Sequence, residues 1–167
     1  ERGGGMALFL ENFPEIKKPR IYMHVSGLNQ NVIVTDEFLS LSADKYMGSD
    51  YPLYQDFFYE YQRQTMTPDR IVPDYLLGFM MANLPFAGND EILLDRILYD
   101  GKLRYILSRL LPERNVWEYV GYNKEQYEWC MMHQSRIWKS ILENQHLFNP
   151  DYKFTQKYLR AVPDTAL

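Results

Sequence analysis

One cysteine, Cys130, and three histidines, His24, His133 and His146, are all that the 167 residues offer to a soft metal ion or a disulfide. An intrachain disulfide and a cysteine-rich zinc site are therefore excluded, while a lone cysteine leaves the redox compartment open. Basic residues are outnumbered, 18 against 22 acidic, and cluster only at Lys17-Lys18-Pro19-Arg20. The electrostatic footprint of a nucleic-acid-binding chain is missing, and no DNA or RNA partner is expected. No stretch approaches the roughly 20 apolar residues of a membrane-crossing helix, and no basic start with an apolar centre precedes Met6. An export signal or a lipid-bearing cysteine is thus expected outside these residues. Gly3-Gly4-Gly5 has neither the upstream strand nor the lysine of a phosphate-binding loop, and no G-x-S-x-G elbow occurs.

What is present is core-forming material: 46% of the residues are hydrophobic and 16% aromatic, enough for one domain over residues 1–167. Glu1-Arg2-Gly3-Gly4-Gly5 has the composition of a flexible stub or junction. The chain stops at Ala166-Leu167 without a closing element, so the domain is expected to be incomplete on its C-terminal side.

The spacing predicts a short apolar helix from Met6 to Asn12, stopped by Pro14, and then three short strands, Ile21 to Val25, Asn31 to Thr35 and Phe38 to Ser42. Turn formers between them suggest a small antiparallel meander. Beyond Gly48 the period lengthens. Tyr54, Phe57, Phe58 and Tyr61 mark a helix from Tyr51 to Gln64, and Leu76, Leu77, Met80, Met81 and Leu84 mark a second, which Pro73 kinks or restarts. A third helix runs from Asn89 or Asp90 to Leu111 with an inward line of Leu94, Ile97, Leu98, Gly101 and Tyr105. A glycine there costs about 1 kcal/mol against alanine and suggests close backbone contact. A fourth helix of nearly six turns carries Tyr127, Cys130, Met131, Gln134, Ile137, Trp138, Ile141 and Leu142 on one stripe, capped by Asn123 and Gln126, and a short one follows around Phe154 to Leu159. Strands followed by helices make an α+β layout, a small antiparallel sheet near the N-terminus ahead of a predominantly helical bundle.

Zinc proteolysis of the HExxH type needs two histidines one helical turn apart, so that both imidazoles meet one ion. None of His24, His133 and His146 has another histidine three or four residues away. Cys130 lies on an apolar helical stripe, where a thiol is usually buried and inert. Asp95 and Asp100 are five residues apart, about 140° around a helix, and do not share a face. These residues provide no catalytic set, no metal ligands and no cofactor site. The 14 tyrosines and 9 phenylalanines are read mainly as core, with Tyr59 and Tyr119 expected to face outward.

Four segments nevertheless stand out together: Asp44-Lys45-Tyr46-Met47-Gly48-Ser49-Asp50-Tyr51-Pro52-Leu53-Tyr54; Arg70-Ile71-Val72-Pro73-Asp74; Leu94 through Asp100-Gly101 to Tyr105; and Gly121-Tyr122 through Cys130 and Trp138 to Asn144. In this order they resemble the gliding motility lipoprotein GldB and its relatives. That family is similar to predicted zinc proteases in which an HExxH helix is followed by a glutamate-glycine pair supplying a third ligand. Here the corresponding helix, from Pro73-Asp74-Tyr75, has no histidine, and the later pair reads Asp100-Gly101. The resemblance implies a zincin-like scaffold without the zinc motif, and a vestigial cleft for which Asp74, Asp100 and Tyr105 are the candidate residues. It also implies a lipid-anchored protein of the cell envelope, periplasm-facing or surface-exposed, that has a protein partner, no small-molecule cofactor and no catalytic activity. A hydrolase using other ligands, such as Asp100 and His133, and a peptide- or glycan-binding module are the alternatives.

Overall fold

The computed structural model describes residues 4–29, 31–35 and 37–159. Two compact units divide the chain: Glu1–Pro85 with Leu103–Asn123, and Phe86–Lys102 with Lys124–Leu167.

The first unit is built on three strands, β1 (Arg20–His24), β2 (Val32–Val34) and β3 (Phe38–Ser42), in the order β1-β3-β2. Only β2 and β3 form the expected antiparallel hairpin, with Val32 opposite Leu41 and Val34 opposite Leu39. The sheet is mixed rather than an antiparallel meander, because β1 lies parallel to β3, with Ile21 opposite Leu39 and Met23 opposite Leu41. Alternation reveals a strand and its faces but not its direction beside a neighbour, so the parallel pair was out of reach of the pattern. Cross-strand partners share a face. Ile21, Met23, Leu39, Leu41, Val32 and Val34 therefore line one side, where the two leucines are buried.

Helix α1 (Gly5–Asn12) precedes the sheet; α2 (Pro52–Phe57), α3 (Glu60–Arg63) and α4 (Ile71–Asn83) follow it. The single helix expected from Tyr51 to Gln64 breaks at Phe58, whose backbone is extended. Its ring lies edge-on to Tyr54 at 5.8 Å and beneath the Lys45 ammonium at 4.3 Å. That tertiary cation–π contact overrides the local helical period. Pro73 falls in the first turn of α4, where the missing N–H has no helical acceptor, and the helix runs on undisturbed.

Helix α4 packs on β2 and β3. A Cβ at Gly78 would meet the Val32 side chain at 3.1 Å, so this mid-helix glycine sets how closely helix and strand approach. On another side of α4, Phe79 meets Phe9 of α1 edge-on at 5.8 Å, and Gly5 approaches Leu76 and the Leu110 carbonyl.

Helix α5 (Leu93–Leu110) is shared by the two units, the division falling after Lys102. Its buried residues are Leu93, Leu103, Leu107 and Leu110, not the expected line through Leu98, Gly101 and Tyr105. Leu98 is 53% and Tyr105 68% exposed, and nothing lies within 4 Å of a Cβ placed on Gly101. A helix that serves two units has no single stripe along its length. Helix α6 (Val116–Tyr119) ends the first unit with Tyr119 buried, against expectation, because its hydroxyl donates to the Leu111 carbonyl and to that of Arg114 at 3.1 Å.

In the second unit the expected six-turn helix is two, α7 (Lys124–Met132) and α8 (Gln134–Glu143), separated at His133. The His133 ring stacks on Trp129 at 4.3 Å and its Nδ1 lies 2.8 Å from the Trp129 carbonyl, which already accepts the His133 N–H. A side chain that competes for the backbone acceptor loosens the turn. Met131, Trp138 and Leu142 on the expected stripe are exposed and Cys130 is half-buried. Helix α9 (Tyr152–Leu159) is pinned by the fully buried Thr155, whose hydroxyl donates to the Glu91 carbonyl at 2.7 Å.

Candidate functional site

Two polar centres lie in the first unit. The first is Asp44, just after β3. Ser26 and Leu28 donate their backbone N–H groups to its two oxygens at 3.0 and 2.8 Å, and the Ser42 hydroxyl donates to one of them. Burial pushes this carboxyl up, but the donors from Ser42, Ser26 and Leu28 outweigh it and hold the group well below the usual carboxylate range. The loop that supplies the donors is strained: Gly27 and Leu28 both have positive φ, 65° and 66°. Leucine at such a φ costs of order 1 kcal/mol, and the paired bonds to Asp44 offset it. Lys45, beside it, donates to the Leu28 carbonyl at 3.2 Å. Asp44 is thus the clamp of the β1–β2 loop.

The second centre is Asp74 on α4. Arg70, one turn earlier, donates to its Oδ1 at 3.0 Å, and the buried Tyr46 donates its hydroxyl to Oδ2 at 3.1 Å. Arg70 also reaches the Glu118 carbonyl at 2.5 Å, and Arg104 reaches that of Tyr119 at 2.5 Å, which ties α6 to the same cluster. Burial raises the Asp74 carboxyl, against the lowering effects of Arg70, the Tyr46 hydroxyl and Arg104. The same burial, with Asp74 as neighbour, raises the Tyr46 phenol.

Asp74 stands in the lining of an open groove of about 760 Å³. Asn31, Val32, Ile33 and Val34 of the β2 segment form one wall, and Leu77, Gly78, Met81 and Ala82 of α4 the other. In an antiparallel ladder alternate residues turn both main-chain groups to the neighbour. The Ser42 N–H donates to Asn31 and the Thr35 N–H to Phe38, so Asn31, Ile33 and Thr35 face β3 while Val32 and Val34 turn their N–H and carbonyl groups outward. Apart from Asn31 and Asp74, the groove is therefore apolar in its side chains, and it is polar along one open strand edge.

Of the three residues expected to line a cleft, only Asp74 belongs to this groove. Tyr105 is exposed on α5, and Asp100 is half-buried on the part of α5 that belongs to the second unit. Each histidine is engaged locally: His24 Nδ1 with the Ser40 hydroxyl at 2.8 Å, His133 with Trp129, and His146 with the Tyr158 hydroxyl. Among the described residues no group of three or more His, Cys, Asp or Glu side chains is placed to hold a metal ion, and no helix is long and apolar enough to cross a membrane. Sequence reasoning missed Arg70 and Tyr46 as partners of Asp74. The four-residue spacing of Arg70 and Asp74 was the available signal; nothing in the order of residues points to Tyr46.

Comparison with curated proteins and with solved structures returns no match. A sequence model described as "Gliding motility protein GldB" matches residues 4–167, which takes in both units and all of the described residues. With the match running through the Asp44 clamp and the Asp74 groove alike, the chain belongs to the family of the gliding motility lipoprotein GldB.

Proposed function

We propose that this chain is a non-catalytic, lipid-anchored component of the cell envelope that holds a protein partner for gliding motility and its associated secretion, and that the groove between β2 and α4 takes part of that partner. One observation carries this reading. The acid at the groove is already occupied by Arg70 and Tyr46, so what the groove offers an incoming molecule is apolar walls and an open strand edge. Those are means of binding an extended peptide, through main-chain bonds along the edge and side-chain pockets opposite. Family membership supports the motility and envelope parts.

Met81 is 48% exposed and Ala82 is exposed on the helical wall, so both can be changed without opening the core. Met81→Lys with Ala82→Arg, placed in the full-length lipoprotein of a gliding organism, is expected to abolish colony spreading while envelope abundance stays unchanged. Normal spreading at normal abundance would remove the groove from function. Zinc bound at about one ion per chain and lost on Asp100→Ala would overturn the non-catalytic reading.

A further inference from the structure

We propose that the outer edge of β1 is a docking edge for an extended, acidic-flanked segment of a protein partner. This rests on the reading of the chain as an assembly component, but concerns the opposite edge of the sheet from the groove. Arg20 donates its N–H to the Glu37 carbonyl at 3.1 Å, which fixes the phase of the parallel ladder: Arg20, Tyr22 and His24 bond to β3, and Ile21 and Met23 turn their main-chain groups away. Val25 follows directly after the strand. Among the described residues these outward groups have no partner. The side chains match the backbone. Ile21, Met23 and Val25 are 49%, 58% and 78% exposed, although the first two lie on the face where Leu39 and Leu41 are buried. An apolar face spans all three strands and is left open at β1.

Soluble strands at a free edge are usually guarded by an inserted lysine or proline. Here Ile21 to Val25 contains neither, and the cations stand at its start instead, Arg20 opening the strand and Lys17 and Lys18 preceding it. Lys17, Lys18 and Arg20 are exposed and make no ion pair among the described residues. This cationic head selects the occupant. An extended segment of alternating apolar residues with carboxylates at the end beside Lys17 to Arg20 satisfies the ladder, the open face and the charge together. A second copy paired through its own β1 does not, since residues 17–30 contain no acidic residue to answer those cations, and pairing through any other edge of a copy would show as self-association.

The probe is a fluorescent peptide of alternating valine and threonine carrying a pair of glutamates at one end, compared by anisotropy with the same peptide carrying lysines. The glutamate peptide is expected to bind roughly tenfold or more tightly than the lysine peptide, with the difference shrinking as salt is added. Met23→Pro removes an outward N–H and keeps every bond to β3, so it should weaken binding about tenfold or more at an unchanged melting temperature. Should that variant fail to fold, combined Lys17→Glu, Lys18→Glu and Arg20→Glu should invert the preference between the two peptides. Equal binding of both peptides, or binding unaffected by the substitutions, overturns the proposal. A self-associated protein that Met23→Pro converts to monomer overturns it too, by giving the edge to a second copy. Peptide binding that responds to Met81→Lys with Ala82→Arg and not to Met23→Pro belongs to the groove and overturns this proposal, while the motility test remains a separate result.

Discussion

Arg70→Ala is expected to lower the free energy of unfolding by about 3–5 kcal/mol at neutral pH, the cost of leaving one member of a largely buried ion pair without its partner. Arg70 and Asp74 are 12% and 18% exposed in their side chains, and Arg70 also carries the bond to the Glu118 carbonyl. The loss should depend on pH in a defined sense. Burial already raises the Asp74 carboxyl, and Arg70 is the strongest of the groups that oppose the rise. A carboxyl whose folded value is raised favours the folded state most below its ordinary value, and that contribution is lost as pH rises through the raised value. Without Arg70 the raised value moves higher and the loss deepens. Urea melts of the variant should therefore lie far below the parent at neutral pH and close much of the gap in acid. Asp74→Asn in the same chain should recover part of the neutral-pH loss. A pH-independent deficit would mean that Arg70 acts only through Glu118.

Asp44→Ala should be nearly as damaging, for the opposite electrostatic reason. Each hydrogen bond to a charged group contributes about 1.5–3 kcal/mol, and Asp44 accepts from Ser26, Leu28 and Ser42 while holding Leu28 in a left-handed conformation. A loss of about 3–4 kcal/mol is expected, seen as a melting temperature lower by roughly 10 °C. Burial works against the carboxylate here, yet the three donors depress the folded value below the ordinary 3.8. Stability from such a group is present above the ordinary value and disappears as pH falls through the depressed one. Parent and variant should diverge at neutral pH and converge in strong acid. Leu28→Gly in the Asp44→Ala background should restore about 1 kcal/mol, because glycine has no penalty at that φ.

The two carboxylates also show what could be read without coordinates. The α+β layout, the first helix, the three strands and the final helix follow from local periodicity, and all were legible to within a few residues. The failures occurred where a tertiary partner decided. Phe58 leaves its helix to meet Lys45, Tyr119 turns inward to donate to Leu111, and α5 divides its buried residues between two units. Asp74 was identified through family resemblance rather than chemistry. Arg70 stands one helical turn away, a spacing that could have been read, but Tyr46 comes from another segment, and no local pattern announces a contact made across 28 residues. Gly78, which sets the distance of α4 from β2, has the same character: a glycine within an apolar stripe gives no sign of what it faces.

The mixed sheet has a kinetic corollary. β2 and β3 are joined by the few residues of a hairpin, a contact that closes in roughly microseconds, whereas β1 must wait for β3 and lie parallel to it across the intervening hairpin. The strand made first during synthesis is therefore paired last. Until β3 forms, Ile21 to Val25 is an apolar segment with both edges vacant, the kind of intermediate that aggregates when chains are concentrated. During biogenesis, the interval between emergence of β1 and closure of the hairpin is when this chain most needs to be kept apart from its copies.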